Sequence, residues 1–291
     1  MKNSFIIVTW NNEEQISKLI KSIQRYEPAS TIIVVDNNSK DNTVAVVQKY
    51  KNVICIPLDE NLGFAKANNI GFQLVKTDYV TFINPDTQLV SPVVNKLINK
   101  INKTNAALIG GKLINTDGTL QPSIFKFQTP IEIIIEQFGI GKILPEKLKL
   151  KYSPENSFHN HDVFTDWLVG AFYFTKSKYY KLVGGFSEDY FLYAEDMDIC
   201  YKYHLNDLKV LFTPEITIYH LGGESEKKTN TTKSLKLLES FCIFARKYNF
   251  SRNIFTLYKC YIIKQLIFRF INKTRANKYA SNVKYLKGQL K

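Results

Sequence analysis

The sequence predicts an α/β protein with a largely parallel sheet, followed by a helical, basic C-terminal appendage. Three observations carry that reading. Short β-branched runs alternate with helix-period segments through the first part of the chain, the pattern of βαβ units. Acidic or imidazole residues stand where apolar runs end, at Asp36, Asp86, Glu195-Asp196 and His220. Ligands of an open α/β sheet bind outside the carboxyl ends of its strands, so these residues point to one shared pocket. Charge is unevenly divided: residues 1–225 hold 23 Lys and Arg against 24 Asp and Glu, and residues 226–291 hold 16 against 2.

The apolar run Phe5–Trp10 opens the chain as a strand, being too short and too poorly flanked for a signal peptide. Further strands are expected over Thr31–Asp36, Val53–Pro57, Tyr79–Ile83 and Ala106–Asn115. Helices are expected over Glu13–Tyr26, Asp41–Tyr50, Gly63–Val75 and Val90–Asn102. The Asn-Thr-Asp-Gly-Thr stretch from Asn115 to Thr119 signals a turn. From Thr129 to Asn160 periodicity is weak and Gly139, Gly141, Pro145 and Pro154 punctuate it, which predicts a mobile, partly helical insertion. Order returns with a strand over Phe164–Phe174, a short helix over Ser177–Val183, a breaker at Gly184-Gly185 and a helix from Asp196 to Leu205. Beyond Gly222-Gly223 helices are expected near Thr232–Tyr248 and Arg252–Lys273.

Composition excludes several classes. A hydrophobic content of 45% with 13% aromatics rules out a disordered chain. No run of about eighteen apolar residues lacks charge, so no spanning helix is expected. Cys55, Cys200, Cys242 and Cys260 show no CxxC spacing and read as reduced thiols filling the core of a cytosolic protein. Strand one leads into Trp10-Asn11-Asn12, which lacks the glycine fingerprint of a dinucleotide enzyme, and neither a P-loop nor a GxSxG elbow occurs.

Each candidate residue has a functional and a structural reading. Asp36 ends an apolar strand and is placed to accept the imide N–H of a uracil or thymine ring; a turn aspartate is the alternative. Asp41 is a helix cap. Lys66 opens a helix and is placed to meet phosphate oxygens, or lies on a solvated face. In Asn84-Pro85-Asp86 the proline ends strand pairing, and the carboxylate beside it suits a hard divalent cation. Glu195-Asp196-Met197-Asp198 starts a helix, where acidic residues are favoured by the macrodipole alone. Its aromatic approach, Tyr190, Phe191 and Tyr193, is however apolar enough to raise a carboxylate's proton affinity and suit it to general-base work. His220 is a metal ligand beside Asp86 or a structural histidine.

The ordered set of motifs resembles the family-2 glycosyltransferases of the GT-A fold, in particular their bacterial rhamnosyltransferase-like branch. The matching stretches are Ile7–Asn12, Val35–Asp41, Asn61–Asn69, Asn84-Pro85-Asp86, Asp166–Ala171 and Gly184-Gly185-Phe186 through Asp198, so the resemblance covers roughly residues 4–225. It implies a Rossmann-like nucleotide-sugar-binding domain with a mixed central sheet over 1–225. Within it, 1–115 would be the nucleotide-sugar half and 116–225 the acceptor half, with 226–291 a basic helical extension. It further implies that Thr9, Asn11 and Asp36 line the base and ribose, with Lys66, Asn69 and Asp86 completing the nucleotide site. Asp86 and His220 would hold Mn2+ or Mg2+. Asp196 would be the general base, with Trp167, Glu195 and Asp198 facing the acceptor. Many relatives carry Asp-x-Asp where this chain has Asn84-Pro85-Asp86, which predicts weaker metal affinity.

The implied activity is inverting transfer from a nucleotide-diphospho-sugar, dTDP-rhamnose or a UDP-sugar, to a lipid-linked glycan of a bacterial surface polysaccharide. The implied location is the cytoplasmic face of the plasma membrane. The basic tail is expected to meet an anionic membrane surface there, with packing in a homodimer as the rival role. Nucleic acid is not expected as a partner. Two other classes stand as alternatives: a nucleic-acid-binding module using the tail, and a phosphotransfer or hydrolase domain with Asp36 as nucleophile. The second needs a carboxylate beside Asp36, where Asn37-Asn38 stand.

Overall fold

A computed structural model describes residues 3–153, 158–221 and 233–290. They fall into two compact units, Met1–Phe125 with Phe158–Asn230, and Lys126–Ser157 with Thr231–Lys291. This differs from a single boundary near 225. Lys126–Ser157 belongs with the C-terminal helices because Ile133 is buried in the same apolar cluster as Leu238, Cys242, Ala245, Ile254, Leu257 and Leu286. Pro154 and Gly222-Gly223, expected as breakers, lie outside the described residues.

Among the described residues the first unit has twelve strands: β1 (Asn3–Thr9), β2 (Thr31–Asp36), β3 (Val53–Pro57), β4 (Tyr79–Ile83), β5 (Thr87–Leu89), β6 (Ala106–Ile114), β7 (Leu120–Gln121), β8 (Ile124–Phe125), β9 (Val163–Thr165), β10 (Trp167–Leu168), β11 (Phe172–Lys176) and β12 (Lys209–His220). The main sheet runs β3-β2-β1-β4-β11-β6-β12-β5, with β7 beside β6 and β9 beside β12, while β8 and β10 pair separately. Strands β1 to β4 are parallel where they pair. Strand β11 runs antiparallel between β4 and β6, and β12 returns parallel to β6. The sheet is therefore mixed.

Sequence dictates this locally. Strands β1 and β2 are buried on both faces, as parallel strands covered by helices must be. The helix Glu13–Tyr26 carries Ile16, Leu19, Ile20 and Ile23, spaced to form one stripe, and buries all four against the sheet. Each such aliphatic side chain contributes about 1.5–3 kcal/mol by leaving water.

Three elements depart from expectation. The run 164–174 is not one strand but β9, β10 and the start of β11. Its backbone turns at Gly170, where a Cβ would stand 3.1 Å from the Asp196 Cβ. Strand β12 is twelve residues long with a register shift between Thr213 and Thr217, where Pro214 has no N–H to donate. Within the helical extension no separate helix is expected past Lys273, yet Lys273–Gln289 forms one, with the Asn272 side chain capping it by accepting from the Arg275 N–H at 3.0 Å.

The second unit comprises the helices Pro130–Gln137, Glu146–Tyr152, Lys233–Lys247, Ser251–Ile271 and Lys273–Gln289 with a short 3-10 turn at Ile140–Ile143. Thr129 and Glu132 form a capping box at the first of them.

Candidate active site

The parallel strands deliver the first group of residues. Thr9 and Asp36 are register partners at the carboxyl ends of β1 and β2. Asp36 is only 1 % exposed. Its two oxygens accept from the Ser39 amide at 2.8 Å and the Ser39 hydroxyl at 2.5 Å. The Ser39 hydroxyl in turn accepts the Asn11 amide at 2.8 Å, and Asn11 Oδ1 accepts the Lys40 amide at 2.7 Å. Asn11 takes a left-handed backbone, φ 54°. Thr9 donates to Asn12 Oδ1 at 3.2 Å. These contacts pre-set the turn, and each carboxylate oxygen keeps a second lone pair for a ligand.

Lys66 and Asn69 lie on the helix Gly63–Phe72 with different fates. Lys66 is exposed. The Asn69 amide donates to the Phe186 carbonyl and Glu188, both at 2.9 Å, while its oxygen accepts from the Tyr180 hydroxyl and the Phe186 amide. Asn69 is thus a staple to the 186–188 loop, and its four bonds exhaust the group. At the head of this helix Gly63 has φ +80°, and a Cβ there would come 2.7 Å from the Phe191 carbonyl. Only glycine permits that approach.

Strand β4 ends at Asn84-Pro85-Asp86. The Asp86 carboxylate, 8 % exposed, has Oδ1 3.4 Å from His220 Nε2 at the end of β12. Gln121 fixes the imidazole. Its amide nitrogen donates to the His220 carbonyl at 2.7 Å and also to Asn115, so its oxygen is what meets His220 Nδ1, at 2.7 Å. Nδ1 therefore carries the proton. Nε2 then faces the Asp86 carboxylate oxygen. A carboxylate and an imidazole are donors of the kind a divalent cation takes. Among the described residues no group of three or more His, Cys, Asp or Glu forms a fuller cage.

The third group sits at the start of the helix Glu195–Leu205. Tyr193 and Ala194 both have positive φ, 72° and 65°. Two consecutive side-chain-bearing residues in that region cost about 1–3 kcal/mol each, strain that collects at functional sites. The strained turn aims Glu195 and Asp196. Asp196 accepts from the Met197 amide at 2.8 Å and the Gly170 amide at 3.4 Å. Glu195 is buried and its Oε2 has no hydrogen-bond partner among the described residues. Burial pushes both carboxyls up, Glu195 to about 8 with help from the Asp196 charge, and Asp196 to about 6. Beneath them the buried Tyr173 hydroxyl donates to the Leu168 carbonyl and lies 3.4 Å from the Asp196 carbonyl, tying β10 to the helix.

Asp198, expected beside the acceptor, is fully buried and accepts from the Ser187 hydroxyl at 2.5 Å and the Tyr190 hydroxyl at 3.1 Å. It holds the loop leading into the helix. Trp167 stacks on Phe125 with centroids 4.5 Å apart and planes at 19°, forming a partly exposed aromatic platform on the β8–β10 ribbon. Backbone bonds stitch these loops together: Asn84 N–H to the Ala171 carbonyl at 3.0 Å, and Phe64 N–H to the Phe191 carbonyl at 3.4 Å. Sequence reasoning missed Ser39, Gln121, Tyr173 and Gly170: Gln121 bonds His220 99 residues on and Gly170 bonds Asp196 26 residues on, whereas Ser39 bonds Asp36 within its own turn.

Comparison with known proteins identifies the family and the fold. The model of glycosyl transferase family 2 matches residues 4–165, more than half of the chain. The rhamnosyltransferase WbbL of Escherichia coli K12 is 26% identical over 254 residues, 83% of this chain and 92% of that protein. An N-acetylglucosaminyl-diphospho-decaprenol L-rhamnosyltransferase of Mycobacterium tuberculosis is 24% identical over 234 residues, 76% of each chain. Among solved structures, Staphylococcus aureus TarS 1–349 in complex with UDP-GlcNAc superposes with a TM-score of 0.62 at 17% identity, covering 100% of this chain and 82% of that one. The mixed sheet with its helical C-terminal region is thus the GT-A arrangement, and the chain belongs to glycosyl transferase family 2 as a rhamnosyltransferase-like glycosyltransferase.

Proposed function

We propose that this enzyme transfers a sugar, with inversion, from dTDP-rhamnose or a UDP-sugar to a hydroxyl of a lipid-linked glycan in bacterial surface polysaccharide synthesis. The names of the relatives support the acceptor class, since one acts on an N-acetylglucosaminyl-diphospho-decaprenol. The observation that carries the chemistry is Asp196, a desolvated carboxylate held by two backbone amides at the end of a strained turn. In this reading Asp196 takes the proton of the acceptor hydroxyl as that oxygen attacks the anomeric carbon. The bond to the diphosphate breaks on the opposite face, and its electron pair leaves with the nucleotide. No covalent intermediate forms, so configuration inverts.

Glu195, kept neutral by burial, donates a hydrogen bond to the acceptor, and Trp167 stacks on a sugar ring. Asp36 accepts the N–H of a pyrimidine base while Thr9 and Asn11 shape the ribose pocket, and Lys66 meets phosphate. Asp86 and His220 would hold a divalent cation, which would neutralise charge developing on the leaving diphosphate. Asn69 and Asp198 act in this reading by shaping the walls rather than by touching either substrate.

The test is a thermal-shift panel of nucleotide-sugars with and without manganese, followed by transfer to a lipid-diphospho-sugar. The productive donor should raise stability by about 2.7 kcal/mol at a hundred times its Kd. Asp86→Ala should abolish any manganese enhancement of that shift. No stabilisation by any nucleotide-sugar, or normal turnover of Asp86→Ala in excess EDTA, contradicts the donor or the cation part respectively.

A further inference from the structure

The helix Ser251–Ile271 has two apolar faces, and the protein covers one of them. Ile254, Leu257 and Cys260 are buried in the core of the second unit, with Tyr258 and Tyr261 packed against it. Lys264, on the same side, donates to Gln137 Oε1 at 2.8 Å and lies over the rings of Tyr261 and Tyr279. The other face presents Ile263, Leu266, Ile267, Phe270 and Ile271, at i, i+3, i+4, i+7 and i+8, and all five are exposed, Phe270 by 89% and Ile271 by 71%. That spacing makes one continuous stripe. Contiguous exposed apolar surface of this kind marks an interaction site.

Charge identifies the occupant. From Ser251 to Lys291 the sequence has ten Lys and Arg and no Asp or Glu. Lys259 stands one turn before the stripe, stacked over Phe255 at 4.4 Å, and Arg269, Lys273 and Arg275 surround its end, all exposed. An apolar stripe with cations around it, on a segment that holds no acid, matches an anionic bilayer, where apolar side chains enter the interface and ammonium or guanidinium groups meet lipid phosphates. A second copy would bring two acid-free surfaces together, and nucleic acid has no use for the aliphatic stripe.

We propose that the Ile263–Ile271 face docks this enzyme on the surface of an anionic lipid bilayer. The inference goes beyond the transfer reaction and is tested apart from it. Full-length protein is floated with phosphatidylcholine vesicles that contain or lack phosphatidylglycerol, and transfer to a soluble acceptor is measured in parallel. Wild type should float with the anionic vesicles alone. Leu266→Ser/Phe270→Ser should lower partition by about tenfold or more. Lys259→Gln/Arg269→Gln should weaken it by roughly fivefold per cation. Both variants should keep the wild-type melting temperature and soluble-acceptor activity. Flotation unchanged in the serine variant, or equal on neutral vesicles, overturns the proposal. So does a serine variant that unfolds or that converts a wild-type oligomer to monomer, because the face would then be covered by protein. Loss of transfer with flotation intact would instead count against the catalytic reading.

Discussion

Two acidic turns in the same unit are built to opposite ends. At Asp36 a buried carboxylate closes a parallel strand and receives two donors from Ser39 three residues on. At Glu195 a buried carboxylate opens a helix, with an oxygen that receives no donor among the described residues and two left-handed residues behind it. The first is a finished structural turn that offers a ligand its remaining lone pairs. The second holds a desolvated acid pair behind a strained turn, a combination that clusters at functional sites. Asp198 sharpens the contrast. It lies on the same helix turn, more deeply buried, yet its oxygens hold the Ser187 and Tyr190 hydroxyls. Burial alone therefore does not separate these carboxylates: two side-chain hydroxyls hold Asp198 and two backbone amides hold Asp196, while Glu195 Oε2 has no hydrogen bond among the described residues.

Substitutions along this contrast should differ in kind. Asp196→Asn should cut transfer by about 10²–10⁴-fold while donor binding, followed by calorimetry, stays within error, because general-base catalysis is worth that much. Retained transfer would place the base elsewhere. Asp198→Ala should act on stability, lowering it by about 3 kcal/mol in urea melts, since it removes the charged acceptor of two buried hydroxyls.

Glu195→Gln should have a pH-dependent effect of the other sign. The folded protein raises the Glu195 pKa from 4.5 to about 8, so it holds that proton more tightly than the unfolded chain. Stability from this group is full below the unfolded value and is lost as pH climbs to about 8. Glutamine cannot ionise, so melting curves of the variant should gain on wild type between about pH 5 and 8. A constant gap would contradict the raised pKa. Ser39→Ala should be the mildest, about 1–3 kcal/mol with weakened donor binding, because the Asp36 turn keeps its backbone donor.

Much of the sheet was legible because apolar runs bounded by turn residues report buried strands directly. Thr31–Asp36, Val53–Pro57 and Tyr79–Ile83 begin and end where their composition changes. The strand-end acids were legible for the same reason. What they bond to was not. His220 is oriented by Gln121, 99 residues away, and Asn69 is consumed by a loop 117 residues on. Such partners are set by tertiary distance, which no local pattern encodes. The helix Ser251–Ile271 hides its faces for a different reason: its apolar residues look unsegregated along the sequence because one set faces the core and another faces outward.

The central claim is that Asp196 is a base poised by desolvation, and the pH dependence of kcat/KM on a soluble acceptor tests it most directly. Asp196 must be ionised to accept a proton, and burial raises its pKa to about 6. The rate should therefore climb as pH rises and level off above a midpoint near 6. The limb should disappear from the residual activity of Asp196→Asn. A profile already flat at about pH 5, where an ordinary aspartate is fully ionised, or the same limb surviving in Asp196→Asn, would contradict the account.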